Sequence, residues 1–406
     1  MNFLEFDENG IPIDPGDDPH RSFEPSMDVS GNIAANIVMA EEEINARAIE
    51  ARNYFNNLMH FEYEDLVGNG AFGIAVRVKW TGVGRSRRFI VKRARNEDSA
   101  RELRHEIDIM AMGGKGVALA EKYAYEIDPA DHTTYAQNLN GAAHIASVIA
   151  YEDDRRGGRR RRYQQWRLRS RFARRVASIF GRRVPSYFLV GLPGPSLALE
   201  YLENGTMDRF RKKLDENNDI VPNRILWRIF LCWADSKLEE FGNIPPSRLV
   251  HGDMHPGNML FGTIGDFPEH DIVPPVKLID FGLSFRNPVG VMWNISDIAK
   301  NMMWLIIQRL VPLGVWPLDY NDIVTEGAPL LDAQWAPKTR HLDPELLDIL
   351  LRCLAQSPLD RPTLAQLLQV AKDAVQNRDQ EYYGAEAFQE SDVSIQRFVQ
   401  QYIYDA

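Results

Sequence analysis

Residues 249–260 read Leu249-Val-His-Gly-Asp253-Met-His-Pro-Gly-Asn258-Met-Leu260, a polar cluster between two apolar ends. Short strands at those ends would leave Asp253 and Asn258 in the intervening loop. A carboxylate able to take a proton from a hydroxyl then stands beside an amide oxygen able to bind Mg²⁺. Polar groups in so apolar a setting cost free energy unless they are paired, which favours a reaction centre over a plain loop. Downstream, Val276-Lys-Leu-Ile-Asp280-Phe-Gly282 is an apolar strand ending in a second carboxylate. Gly282 would allow the turn that aims Asp280 at the same metal.

Two features upstream fit a nucleotide beside that centre. Gly68-Asn-Gly70-Ala-Phe-Gly73 is a G-x-G-x-x-G run, whose glycines let backbone N–H groups approach a polyphosphate. The pattern alone is weak, since dinucleotide-binding folds use the same spacing with a helix directly after it. Here Ile74-Ala-Val-Arg-Val alternates as a strand, which points to a glycine hairpin over a triphosphate. Lys92 ends the strand Phe89-Ile-Val-Lys92, and a lysine there is costly unless a carboxylate and phosphates receive it. On the next helix Glu106 and Glu102 both qualify. Glu106 is favoured because it shares a helical face with Leu103 and Met110.

In order along the chain, the glycine run, Lys92 with Glu106, Asp253 with Asn258, Asp280-Phe281-Gly282 and Asp360-Arg-Pro-Thr363 resemble the eukaryotic protein-kinase family from about Phe61 to Val370. The C-terminal run from Ser391 is similar to the tails of filamentous-fungal kinase-like proteins. The resemblance implies an α+β, two-lobed fold, with ATP and Mg²⁺ as cofactors and a Ser/Thr protein as phosphoryl acceptor. It makes Asp253 the base for the acceptor hydroxyl, Lys92 the α/β-phosphate ligand oriented by Glu106, and Asn258 and Asp280 the metal ligands. It places Gly68, Gly70 and Gly73 over the phosphates, Ala75 and Ile90 above adenine, and Leu199 at the back of the pocket. The backbone at Glu200 and Leu202 would bind the adenine edge, and Asp297 would anchor the catalytic loop.

The departures are as informative. Gly252 stands where the family carries the arginine that receives an activation-loop phosphate, and His255 where it carries a lysine facing the γ-phosphate. The interval from Asp280 to Asp297 is short and lacks the Ala-Pro-Glu motif of the segment that in the family forms the platform for a peptide. His-Gly-Asp-Met-His-Pro-Gly-Asn resembles the loop of aminoglycoside and choline phosphotransferases at least as closely. A small-molecule phosphotransferase and an ATP-binding pseudokinase scaffold are therefore the competing expectations.

The chain has 406 residues, 44% hydrophobic and 26% charged, with two cysteines and a net charge of −10. That is enough for two packed lobes, offers no disulfide framework, and contains no apolar run of membrane-spanning length. The expected organisation is an acidic disordered leader (1–31), a helical extension (32–60), a strand-rich lobe (61–202) with an Arg-rich insertion (152–195), a helical lobe (203–375) and a tail helix (376–406). The expected location is intracellular, cytoplasmic, with nuclear import through the arginine segment. That segment, Arg155–Arg183, carries thirteen arginines and no acidic residue, which suits a nucleic acid or acidic protein as partner. Deleting it should abolish heparin, RNA or DNA binding that falls steeply with salt, and should leave ATP affinity intact. Salt-independent binding, or equal binding after deletion, would remove the segment's assigned role.

Overall fold

The computed structural model describes residues 29–70, 73–82, 84–110, 144–152, 188–234, 249–264, 270–312 and 317–405. The arginine segment, most of the leader and the tip of the glycine loop lie outside the described residues. By its contacts the chain falls into two units, Met1–Asn45 and Ala46–Ala406. The described part of the first is helical from Val29, three residues before the expected start. The same helix, α1 (Val29–Asn56), ends inside the second unit, to which everything below belongs.

Five strands form one antiparallel sheet: β1 (Phe61–Gly70), β2 (Gly73–Gly82), β3 (Arg85–Arg93), β4 (Val148–Glu152) and β5 (Ser196–Glu200). Their order is β1-β2-β3-β5-β4. The alternation along β2 is a burial pattern, with Ile74, Val76, Val78 and Trp80 inside and Ala75, Arg77 and Lys79 half-buried on the other face. A period of two is what a strand with one covered face imposes.

On the inner face Phe55 of α1 packs with Phe61, Phe89 and Phe188, ring centroids lying 4.9–6.4 Å apart. This corrects the boundaries of the insertion. Glu152 completes β4, and Phe188, Leu189 and Leu192 are buried, because removing aromatic and leucine side chains from water outweighs the cost of ordering the loop. Arg93, 1% exposed, ties the same edge together. Its guanidinium donates to Glu50 at 2.9 Å, to the Arg47 carbonyl at 3.0 Å and to the Pro193 carbonyl at 2.9 Å. The last turns of α1 are thus part of the strand-rich lobe.

Helix α2 (Glu97–Met110) presents Leu103, Ile107 and Met110 to Leu197, Leu199 and Phe281. The helical lobe gathers α3 (Met207–Asn217), α4 (Asn223–Ala234), α5 (Gly290–Ile307), α6 (Pro344–Cys353) and α7 (Leu364–Asn377) around Phe210, Trp227, Met302, Leu350 and Leu367. Two short antiparallel ladders frame its polar loops: β6 (Leu249–Val250) with β9 (Phe285–Arg286), and β7 (Met259–Phe261) with β8 (Val276–Leu278). The expected two-lobed α+β arrangement is present. Among the described residues no helix is long and apolar enough to cross a membrane.

The expected tail helix at 376–406 is instead a 3₁₀ turn (Glu381–Glu386) followed by α8 (Asp392–Val399) and a π turn (Gln400–Tyr404). It is part of the core, where Ile395, Val399, Tyr402 and Ile403 are buried. The buried Glu390 carboxylate accepts the backbone N–H groups of Asn223 at 2.6 Å and Arg224 at 3.0 Å. A residue of the tail thereby satisfies the free donors at the start of α4.

Phe55→Ala should cost about 3–5 kcal/mol in chemical denaturation, as for other buried phenylalanines. Ile49→Ala, on the exposed face of the same helix, should stay within about 0.5 kcal/mol of the parent. Equal effects would mean that α1 does not share the lobe's core.

Candidate active site

The half-buried face of the sheet supplies one wall of the site. Ladder pairing sets Ala75 beside Lys92 and Ile90 beside Leu199, so strand alternation brings all four to the same face. Gly68 pairs with Ala75 and Gly70 with Gly73, making the glycine run the tip of a hairpin rather than a strand-to-helix turn. Gly73 has φ +133°, and a Cβ there would lie 2.1 Å from the Arg93 carbonyl oxygen. Only glycine fits that close approach.

Lys92 is the centre of the charged groups. Its Nζ lies 2.7 Å from Glu106 Oε1 and 3.2 Å from Asp280 Oδ1. Glu106, rather than Glu102, is thus its partner on α2, as the shared face with Leu103 and Met110 implied. Burial alone would lower Lys92, but the two carboxylates outweigh it and hold the ammonium above its ordinary value. Burial pushes Glu106 up, and Asp280 adds to this, while Lys92 and the Phe281 backbone N–H oppose it. Two carboxylates around one ammonium leave an excess negative charge, which suits a cation at Asp280.

Asp280 has φ +66°, a left-handed conformation that Asp tolerates better than most residues. The turn swings Phe281 back under α2, where it is 3% exposed and its ring centroid lies 4.6 Å from that of His251. His251 Nδ1 accepts the Asp253 N–H at 3.3 Å, so Nε2 carries the proton and donates to the Ile279 carbonyl at 3.0 Å. Burial keeps this imidazole below its ordinary value and neutral. Its role is to hold the backbone on both sides of Asp253 and Asp280.

Asp253 is braced by Asn258, whose Nδ2 donates to the Asp253 carbonyl and to its Oδ2, both at 3.0 Å. That leaves Asn258 Oδ1 as the oxygen for a ligand. The Asn258 carbonyl accepts the Ile279 N–H at 3.0 Å, next to Asp280. An amide oxygen and a carboxylate are the hard donors Mg²⁺ takes, so the residues present fit that ion. His255 Nδ1 accepts the Gly257 N–H at 3.1 Å, and its Nε2 lies 3.7 Å from Asp253 Oδ2. The imidazole therefore faces the carboxylate from the solvent side.

Gly252 has φ +80°, and a Cβ on it would stand 2.3 Å from the Leu283 carbonyl oxygen. The turn after Asp280 occupies the volume that an arginine side chain would enter. That segment is pinned on both sides. Ser284 Oγ donates to the His251 carbonyl at 3.0 Å, and His105 of α2 contacts the Ser284 carbonyl at 2.6 Å. Arg361 donates to the carbonyls of Met292 at 2.7 Å and Ala355 at 2.9 Å.

The structure departs from expectation at Asp297. Its carboxylate pairs with Lys300 at 2.6 Å, one turn along the same helix. The loop is anchored by Asn294, whose Oδ1 accepts the His251 N–H at 3.1 Å and whose Nδ2 donates to the Leu249 carbonyl at 2.8 Å. Asn301 adds a bond to the Met254 carbonyl at 3.0 Å. Both amides sit among apolar residues of α5, a signal that sequence reasoning passed over in favour of the acid. It also missed Lys277, 7% exposed, whose Nζ lies 2.9 and 3.1 Å from the Glu200 carboxylate. Glu200 also accepts the Ser147 N–H at 2.6 Å. Its side chain thus ties the strand-rich lobe to β8, while the Glu200–Leu202 backbone forms the connection between the lobes.

This fold, with a lysine–glutamate pair, a braced aspartate and two hard oxygen donors, defines a kinase-like phosphotransferase. Residues 71–284, over half of the chain, match the model of the phosphotransferase enzyme family known as APH, and the chain belongs to that family. No curated protein matches it.

Asn294→Ala should cost about 1–3 kcal/mol in denaturation, because it strands two backbone groups that the amide satisfied. Phosphoryl transfer should fall with it. Asp297→Ala, losing a helical-surface ion pair, should cost under about 1 kcal/mol. The reverse order would return the anchoring role to Asp297.

Proposed function

We propose that the protein transfers the γ-phosphoryl group of Mg·ATP to the hydroxyl of a small-molecule alcohol. The observation that carries the transfer is the Asp253 carboxylate, held by Asn258 in the loop that bonds the residue before Asp280, which itself contacts Lys92 of the Lys92–Glu106 pair. Adenine would lie between Ala75, Ile90 and Leu199 and meet the backbone of Glu200 and Leu202. Gly68, Gly70 and Gly73 would cover the phosphates, and Lys92 would bind the α- and β-phosphate oxygens. Mg²⁺, held by Asn258 Oδ1 and Asp280, would neutralise charge on the β- and γ-phosphates. As the acceptor oxygen bonds to Pγ and the bridging P–O bond to ADP breaks, Asp253 takes the hydroxyl proton. His255 would donate a hydrogen bond at the γ-phosphate, a weaker support than a permanent cation.

What supports a small acceptor is Gly252. With the Leu283 carbonyl against it, and α5 starting at Gly290, little chain is left to form a peptide platform. A second reading, a Ser/Thr protein acceptor, is favoured by Asp280-Phe281-Gly282 and Asp360-Arg361. Leu283, Phe285, Val289 and Trp293, all 42–49% exposed, would give a peptide an apolar surface beside the site.

Labelled ATP offered with a panel of aminoglycosides and amino alcohols, and separately with peptide pools, should label the small alcohols. Asp253→Asn should slow that transfer by roughly 10²–10⁴ with Mg·ATP affinity retained. Labelling of peptides alone would establish the second reading. Tight ATP binding without transfer to either class would mark a scaffold.

A further inference from the structure

Away from the nucleotide cleft, three buried side chains converge from distant parts of the chain. Cys232 lies on α4, His270 in the segment leading to β8, and His144 in the segment leading to β4. Their exposures are 1%, 0% and 6%. One donor atom from each lies within 4.8 Å of the others. We infer that His144, Cys232 and His270 form a buried binding site for one thiophilic d¹⁰ metal ion, Zn²⁺ or Cu⁺, that staples the two lobes together.

The geometry around each ligand supports this. His270 Nδ1 lies 3.2 Å from the Val273 carbonyl, which can only accept, so the ring proton sits on Nδ1 and the lone pair on Nε2. Metal-bound histidines are characteristically oriented by such a bond from the other nitrogen. Nε2 stands 3.4 Å from Cys232 Sγ. A metal with a sulfur bond of about 2.3 Å and a nitrogen bond of about 2.0 Å in tetrahedral array spaces those atoms about 3.5 Å apart. The Val276 N–H points at Cys232 Sγ from 3.4 Å, as backbone donors do toward a thiolate that keeps negative charge. The imidazoles of His144 and His270 are edge to face with centroids 5.3 Å apart.

The chemistry of the donors separates this site from the catalytic one. Thiolate and imidazole select zinc and cuprous ions, whereas Asn258 and Asp280 offer hard oxygen. The other buried cysteine, Cys353, belongs to no such cluster among the described residues.

The position gives the metal a task. His144 is bonded through its carbonyl to the Leu278 N–H at 2.9 Å, on the strand that runs into Asp280. Cys232 belongs to the most buried helix of the other lobe. An ion shared by the three would fix the segment before β4, the helix α4 and the base of the metal-binding strand as one block. With ligands so buried it must be taken up during folding, and the thiol proton leaves to solvent as the bond forms.

The full chain, expressed in medium supplemented with zinc and copper and then desalted with EDTA, should retain one equivalent of either metal by plasma mass spectrometry. Denaturation should release it, and the element found distinguishes the two ions. Cys232→Ser should lose it and Cys353→Ser should keep it. Should Cys232→Ser fail to fold, the parent refolded in Co²⁺ supplies an independent readout. It should show a thiolate-to-cobalt charge-transfer band in the near ultraviolet, which oxygen ligands at Asp280 cannot produce. A parent chain with only trace metal and no such band overturns the proposal, as does full metal retention by folded Cys232→Ser.

Discussion

The half-buried ammonium of Lys92, the penultimate residue of the central strand β3, organises the strand-rich side of the candidate site. It cannot remain charged there without partners. Its two carboxylates come from different lobes, Glu106 on α2 and Asp280 after β8. Satisfying that charge sets the distance of α2 from the sheet and requires the left-handed turn at Asp280. The turn in turn delivers the Phe281 N–H to Glu106 and its ring to the apolar cluster of Leu103, Ile107 and Met110. Electrostatics and packing are thus closed by the same four residues.

The Asp253 loop depends on a second, steric constraint. Gly252 lets the turn at Leu283 pass directly over the loop, and the hydrogen bonds of Ser284 and His105 keep it there. Where the resembled kinases hold a phosphate-receiving arginine, this chain has main chain packed against main chain. The loop is therefore held by contacts that need no modification to form. Asn294 and Asn301 complete the support with amides that can bond backbone N–H and C=O groups, which a carboxylate, accepting only, could not do for the Leu249 and Met254 carbonyls.

Membership of the phosphotransferase enzyme family, over 71–284, coincides with the stretch in which the sequence was most legible. Strand β2 could be read because one covered face imposes a period of two, and α2 because Leu103, Ile107 and Met110 recur at helical spacing. The choice of Glu106 over Glu102 followed from the same periodicity. The family resemblance paired Ala75 with Ile90 above adenine, and in the structure strand alternation puts both on one face. Beyond that stretch local pattern was less informative. The tail appeared an appendage because nothing in 376–406 announces that Glu390 caps a helix more than a hundred residues upstream.

By itself, the sequence determined the chemical inventory and its order: glycine hairpin, lysine, glutamate, aspartate, asparagine, aspartate. These are local signals, since strand and helix periods and the cost of burying a charge act over a few residues. Only the tertiary structure decided which groups are partners. Asn294 rather than Asp297 meets the loop, Lys277 meets Glu200 across the lobes, Phe188 returns to the sheet, and two histidines close on Cys232. Each of these contacts joins residues far apart in the chain. Their selection rests on which polar atoms are left buried once the apolar faces have packed, and no periodicity in the sequence encodes that.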